Sequence, residues 1–175
     1  MSARLVLWIS YNGSGFLGYA RQPHGPTAQG SLTEAWRVFT GETAELSGCS
    51  RLDAGVHAHR YCLHLGTAFR GDLGLAVQHL NGILRNHLGV GIRVLGASWA
   101  EESFHARFSA AGKHYRYLVW HGRGEHALLT PRCWHLRTPR PQPEDWVQVF
   151  RLYEGTHDFA RFRGRSTLQP RSVAI

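Results

Sequence analysis

Glu45-Leu-Ser-Gly48 and Ala58-His-Arg-Tyr-Cys-Leu-His-Leu-Gly-Thr67 read as two consecutive strands. Between them lies no helical pattern, only the polar, glycine-containing loop Ser50 to His57. In the longer run, Tyr61, Leu63 and Leu65 share one face by the two-residue period of a strand. A strand that follows another without an intervening helix suits an antiparallel pair. Toward the N-terminus, Ala3 to Ser10 is apolar and β-prone, and Tyr11-Asn-Gly-Ser-Gly-Phe16 reads as a glycine-rich turn. A polar loop with Pro23 and Pro26 follows, and Thr27 is placed to cap a helix. That helix carries Leu32, Ala35, Trp36 and Phe39 at the i, i+3, i+4, i+7 spacing. Toward the C-terminus, the spacing predicts a helix over Leu73 to His87, with Leu73, Ala76, Val77, Leu80, Ile83 and Leu84 on one side, then a strand over Gly91 to Trp99. The order β-α-β-β-α-β from about residue 3 to 100 is that of a ferredoxin-like split βαβ unit. Its fold class is α+β, with helices covering one face of an antiparallel sheet.

A second α+β unit is expected over 106–175, after an N-terminal domain of 1–105. Lys113 to Trp120 alternates, with Tyr115, Tyr117 and Val119 on one face. A loop rich in Arg, Pro and Gly follows, with one short strand at Cys133 to Arg137. Pro143 opens a helix with Trp146, Val149, Phe150 and Tyr153 turned inward, and Arg171 to Ile175 reads as the start of a strand. Strand, helix and partial strand make an incomplete copy of the first unit.

The chain has 175 residues and 43% hydrophobic content, enough to bury one full core. Only 18% of residues are charged, which excludes a charge-rich disordered chain. No apolar run reaches the roughly 18 residues of a membrane span, and Leu5 to Ile9 is too short for a signal-peptide core. Twenty Lys+Arg against twelve Asp+Glu leave a net charge of +8, and all the basic residues but Lys113 are arginine. A GC-rich genome would explain the Arg:Lys ratio but not the excess of charge. A polyanion such as nucleic acid explains both, because guanidinium is a two-pronged donor to phosphate. The three cysteines, Cys49, Cys62 and Cys133, are odd in number and form no Cys-x-x-Cys pair, which fits free thiols in a reducing compartment. His57 and His59 are two apart on a strand, with His64 on the other face, but no carboxylate or Cys completes a ligand set at the usual spacing. No metal is expected.

The segment with most chemistry is Ser50-Arg51-Leu52-Asp53-Ala54-Gly55-Val56-His57-Ala58. It offers a carboxylate with close backbone access beside a cation. Spacing alone leaves a second reading open, an Asp whose side chain accepts turn amides. The segment resembles the Gly-Arg-Thr-Asp-Ala-Gly-Val-His-Ala signature of the TruA family of tRNA pseudouridine synthases. Tyr11-Asn-Gly-Ser-Gly-Phe-Leu-Gly18 is similar to that family's opening motif, and Arg21-Gln22 with Thr27-Ala-Gln-Gly-Ser-Leu32 to its helix start. Leu80-Asn81, Phe104-His-Ala-Arg-Phe-Ser-Ala110, Lys113-His-Tyr-Arg-Tyr117 and Gly155-Thr-His-Asp-Phe159 follow in family order. Each pattern alone is weak; their shared order along nearly the whole chain is not.

The resemblance implies an isomerase that converts uridines at three neighbouring positions of the tRNA anticodon arm to pseudouridine, without cofactor or metal. It implies that Asp53 is the essential carboxylate, attacking C1′ or the uracil ring or abstracting the ribose 2′ proton. Arg51 would fill the space left by the flipped base, for which a guanidinium suits as a stacking plane. Tyr115 would pack on the target base and could take the C5 proton; a core aromatic is its alternative. RNA contacts are expected at Arg21, Gln22, His57 and Lys113. Alternation over Phe104 to Phe108 puts Phe104 and Phe108 on one face, with His105 and Arg107 on the other, toward RNA. Family members are homodimers, and the lack of a leader suggests the cytoplasm.

The chain also departs from the pattern. Ser50 and Leu52 replace Gly and Thr, Leu52 removing a hydroxyl, and Tyr19-Ala20 replaces Trp-Gln. The family continues well past the position of Ile175, to an arginine that pairs with the aspartate, and nothing here matches it. Residues 1–175 alone are therefore expected to be inactive though able to bind RNA. A truncated enzyme and an RNA-binding remnant without turnover are the two readings.

Overall fold

The computed structural model describes residues 3–137, 141–162 and 172–174. The chain divides into two compact units, residues 1–115 and 116–175.

The first unit holds β1 (Ala3–Tyr11), α1 (Ala28–Thr40), β2 (Ser47–Gly48), β3 (Ala58–Gly66), α2 (Leu73–Gly82) and β4 (Ile92–Glu101). The strands form one sheet in the order β2-β3-β1-β4 with every neighbour antiparallel, the split βαβ arrangement. Glu45 to Gly48 contributes only its last two residues to the sheet. The helical run expected to His87 changes at Ile83 into a wider π-type turn through His87.

Each element has a local cause. Thr27 caps α1 by accepting the Gly30 N–H at 3.2 Å, and Gly41, at φ 77°, ends it in the left-handed region. Asp72 caps α2 through the Leu75 N–H at 2.7 Å. Asn81 ties α2 to β4: its side chain donates to the Val94 carbonyl at 2.9 Å and accepts the Val94 N–H at 2.8 Å.

The helices cover one sheet face. Leu5, Leu7 and Ile9 of β1, Tyr61, Leu63 and Leu65 of β3, and Ile92 and Val94 of β4 bury against Ala28, Leu32, Ala35 and Trp36 of α1 and Leu80 of α2. Each such leucine contributes roughly 2 kcal/mol of burial energy. The other face carries a smaller cluster of Val6, Cys62 and Ala106, with Phe104 against it. Residues 104–109 do not continue as a strand. They turn, with the Ser109 N–H donating to the His105 carbonyl at 2.8 Å. Phe104 therefore packs on the sheet while Phe108 is 76% exposed, so the expected shared face is corrected. The turn is fixed by the sheet, because the Ala106 N–H donates to Nδ1 of buried His64 at 3.1 Å.

In the second unit, β5 (Val119–Trp120) pairs parallel with β6 (Trp134–His135), and β7 (Thr156–Asp158) pairs antiparallel with β8 (Ser172–Ala174). The strand expected over Lys113 to Trp120 reduces to β5. Alternation makes a strand only where a neighbour takes up the backbone donors and acceptors, and among the described residues β6 and Leu136 do so only from Leu118 to Trp120, whose Leu118 and Trp120 carbonyls accept the Trp134 and Leu136 N–H groups. Tyr115 and Tyr117 stay 66% and 79% exposed. Helix α3 (Pro143–Arg151) forms as expected, but none of its residues is buried and Phe150 is 60% exposed. Its apolar stripe was expected inward; among the described residues, two short strand pairs offer it no broad face to cover. Arg171 and Ile175 lie outside the described residues.

His64 generates a pH dependence. Burial, then the nearby Arg4 and His105, hold its pKa below the usual histidine value. The folded state then resists a proton that the unfolded chain accepts. Stability is complete above the ordinary histidine pKa of about 6.5 and falls as pH drops from there toward the lowered folded value. Urea midpoints measured across this range should show that fall, and His64→Gln should remove part of it. An identical pH profile in the variant would show that His64 does not titrate between the two states.

Candidate active site

The loop Ser50 to His57 leaves the sheet beside β3, at the end where β1 finishes. A turn forms within it: the Val56 N–H donates to the Asp53 carbonyl at 3.2 Å, with Gly55 at φ 79° in the third position. The turn thus uses the backbone carbonyl of Asp53. Among the described residues its carboxylate joins no ion pair, and the exposed side chain is not consumed in holding the turn.

A second loop holds this one in place. The Tyr19 N–H donates to the Leu52 carbonyl at 3.0 Å, and the Gly55 N–H to the Phe16 carbonyl at 3.3 Å. The Gly13 N–H donates to Nδ1 of His57 at 3.2 Å. The approach is too close for side chains. A Cβ on Gly13 would lie 2.1 Å from the Val56 carbonyl oxygen, and one on Gly18 2.6 Å from that of Leu52. Gly18 also sits at φ 105°, a conformation that other residues rarely adopt.

Below the loop lies a tyrosine cluster. The Tyr61 hydroxyl donates to the Ser50 carbonyl at 2.5 Å and accepts the Ser50 N–H at 3.3 Å, pinning the residue that precedes Arg51. Burial pushes the Tyr61 hydroxyl far above its ordinary pKa, so it remains a donor. Tyr19 packs on Tyr61 with ring centroids 4.5 Å apart, and burial raises its hydroxyl too. Tyr11, edge-on to Tyr61, is pushed up to about 12 by burial. Leu52, partly buried, packs against the core cluster, while Arg51 and Asp53 on either side are exposed.

Arg51, Leu52, Asp53 and Ala54 line one pocket together with Leu17, Ala20 and Gln22. Gln22 donates to the Leu17 carbonyl at 2.9 Å and also lines a neighbouring hollow that contains Arg21. Of the residues singled out from sequence, Arg51, Asp53 and Gln22 therefore share one pocket, with Arg21 next to it. His57 spends one ring nitrogen on clasping the two loops. His105 lies on the far sheet face, its Nδ1 accepting the Arg107 N–H at 3.2 Å and its ring 4.7 Å from that of His64. Lys113 and Tyr115 are exposed and line neither hollow. Sequence reading missed Tyr61 as the anchor of the loop, placing it only in the core. A tyrosine among leucines on a buried face was the available signal, since a buried hydroxyl needs a partner. No group of three or more metal-ligating side chains occurs among the described residues, and no helix there is long and apolar enough to cross a membrane.

No family model matches the chain. Curated relatives do. The chain is 35% identical over 159 residues to a protein of Roseiflexus castenholzii named tRNA pseudouridine synthase A, covering 89% of this chain and 56% of the relative. It is 37% identical over 161 residues to the protein of that name in Methylobacterium radiotolerans, covering 91% and 62%. With the Thermoanaerobacter sp. (strain X514) protein of that name it shares 30% over 169 residues, covering 97% and 67%. The chain thus spans a little over half to two thirds of the length of these relatives.

The loop contact predicts an asymmetry between neighbouring glycines. Gly13→Ala should cost about 1–3 kcal/mol, because the Val56 backbone has to move. Gly15→Ala, where a Cβ meets nothing within 4 Å, should stay within about 0.5 kcal/mol of the parent. Urea unfolding of both variants checks this; equal midpoints would contradict the close approach.

Proposed function

The chain belongs to the tRNA pseudouridine synthase A family, and from that premise we propose that it acts on the anticodon arm of tRNA, isomerising uridine to pseudouridine with Asp53 as the reacting carboxylate. The reading rests on one observation: Arg51 and Asp53 line a single pocket on a braced loop, and among the described residues neither is ion-paired. The two side chains are therefore available for separate tasks.

In this reading the N1–C1′ bond breaks, the base turns, and a C5–C1′ bond forms. The C5 hydrogen leaves as a proton and N1 ends protonated, so composition does not change and no redox partner or metal is required. Asp53 serves as nucleophile toward C1′ or the ring, or as base toward the 2′ proton; each role needs it ionised. Extruding the base costs a few kcal/mol, and the Arg51 guanidinium offsets part of this by stacking in the vacated space. Tyr115, solvent-exposed without RNA, closes over the target base. Arg21, Gln22, Lys113, His105 and Arg107 contact the RNA, and His57 acts mainly by holding the loop. A homodimeric assembly and a cytoplasmic place of work belong to the same proposal and rest on family resemblance.

Asp53→Asn keeps the shape of the side chain and removes its reactivity. In any form of the protein that turns tRNA over, it should abolish pseudouridine formation, read by carbodiimide labelling of the RNA, while tRNA affinity changes by less than about tenfold. Unchanged turnover would eliminate Asp53.

The net charge of +8 supplies a second test. The logarithm of tRNA affinity should fall linearly with that of salt concentration, with a slope of roughly −0.7 to −0.9 for each phosphate contact. A flat dependence would count against nucleic acid as partner.

A further inference from the structure

The sheet face away from the helices carries a feature that the reaction does not use. By strand register, its outward positions are Arg4, Val6, Trp8 and Ser10 on β1, Arg60, Cys62 and His64 on β3, and Arg93, Gly96, Ser98 and Ala100 on β4. The turn through Phe104 and Ala106 caps the Val6 and His64 end. Trp8 packs against the edge of that Val6, Cys62 and Ala106 cluster and is half-buried, Arg60 and Arg93 are exposed, and the Arg60 guanidinium lies 4.7 Å from the centroid of the Trp8 ring. Opposite Trp8 on β4 stands Gly96, where a Cβ would meet nothing within 4 Å. No Asp or Glu occupies any of these outward positions.

We propose that the Trp8–Arg60 pair is a nucleotide-stacking subsite for an unpaired nucleotide of the RNA, close to the one that reacts. The proposal rests on the reading that this chain binds RNA. An aromatic ring on an open sheet face, with a guanidinium over it, is a surface on which any base stacks. The arginines and the absence of carboxylates favour a polyanion over a protein or a neutral ligand. The position also fits. Gly96, Trp8, Cys62 and Cys49 form one row across the sheet, closed by the Cys49 N–H donating to the Cys62 carbonyl at 2.9 Å. The loop bearing Arg51 and Asp53 begins at the next residue. Two strand spacings separate Trp8 from Cys49, roughly 10 Å. About three stacked nucleotides span that distance at 3.4 Å each.

The test compares two RNAs of equal phosphate count, an anticodon-arm hairpin with its unpaired loop and a fully paired duplex. Each is titrated by fluorescence anisotropy against the 175-residue chain and its variants. Trp8→Leu should weaken hairpin binding roughly tenfold, leave duplex binding unchanged and leave the salt slope unaltered, while Trp8→Phe retains most of the affinity. Gly96→Glu guards against a Trp8 variant that fails to fold, since its side chain enters open space and sets a carboxylate beside the indole. It should weaken hairpin binding more than duplex binding, and Gly96→Gln should not. Hairpin affinity equal to wild type in both Trp8→Leu and Gly96→Glu, with melting temperatures preserved, would overturn the subsite alone. Wild-type protein that binds neither RNA at low salt would overturn the RNA reading and the subsite with it.

Discussion

Two backbone segments meet with no room for a side chain between them, and the candidate site depends on that contact. The turn from Asn12 to Tyr19 and the loop from Ser50 to His57 are joined by hydrogen bonds at Tyr19, Gly55 and His57. A methyl group on Gly13 or Gly18 would enter the opposite backbone. The glycine spacing in Tyr11-Asn-Gly-Ser-Gly-Phe-Leu-Gly18 and the polar loop around Asp53 are thus two halves of one structure. Because backbone groups brace the loop, the Arg51 and Asp53 side chains remain available for chemistry.

The sheet supplies the base for this contact. β1 is paired on both sides, with β3 and β4, and it leads directly into the glycine turn. Asn12 continues the link by donating its N–H to the Gly91 carbonyl at 2.9 Å. β3 is buried on both faces over Tyr61 to Leu65, by the helices on one side and by the turn at Ala106 on the other. Rigidity passes from this strand to the loop through the Tyr61 hydroxyl and Ser50. The anchoring groups sit on a packed scaffold, and the reacting groups sit on a short loop above it.

The second unit follows the same physics with less to bury. Its helix α3 has strong local signals: proline in the first turn, and Gln142 and Asp145 satisfying each other's backbone donors. Those signals form the helix whether or not anything covers its apolar stripe. Propensity and capping act over a few residues, whereas burial requires a partner surface.

The sequence alone determined the order of elements in the first unit, the cap of α1, the apolar face of β3, and the basic charge. All of these follow from residues near one another in the chain. It also marked the segment Arg51 to Asp53, through the match of a local motif. The tertiary structure decided what depends on distant residues: that 104–109 turns rather than extends because His64 receives the Ala106 N–H, and that Tyr61 anchors Ser50. It decided as well that Trp8 and Arg60, fifty-two positions apart, share an open face. Strand periodicity states which side a residue takes, but not what stands opposite it. That is set by register between strands, which no single segment encodes.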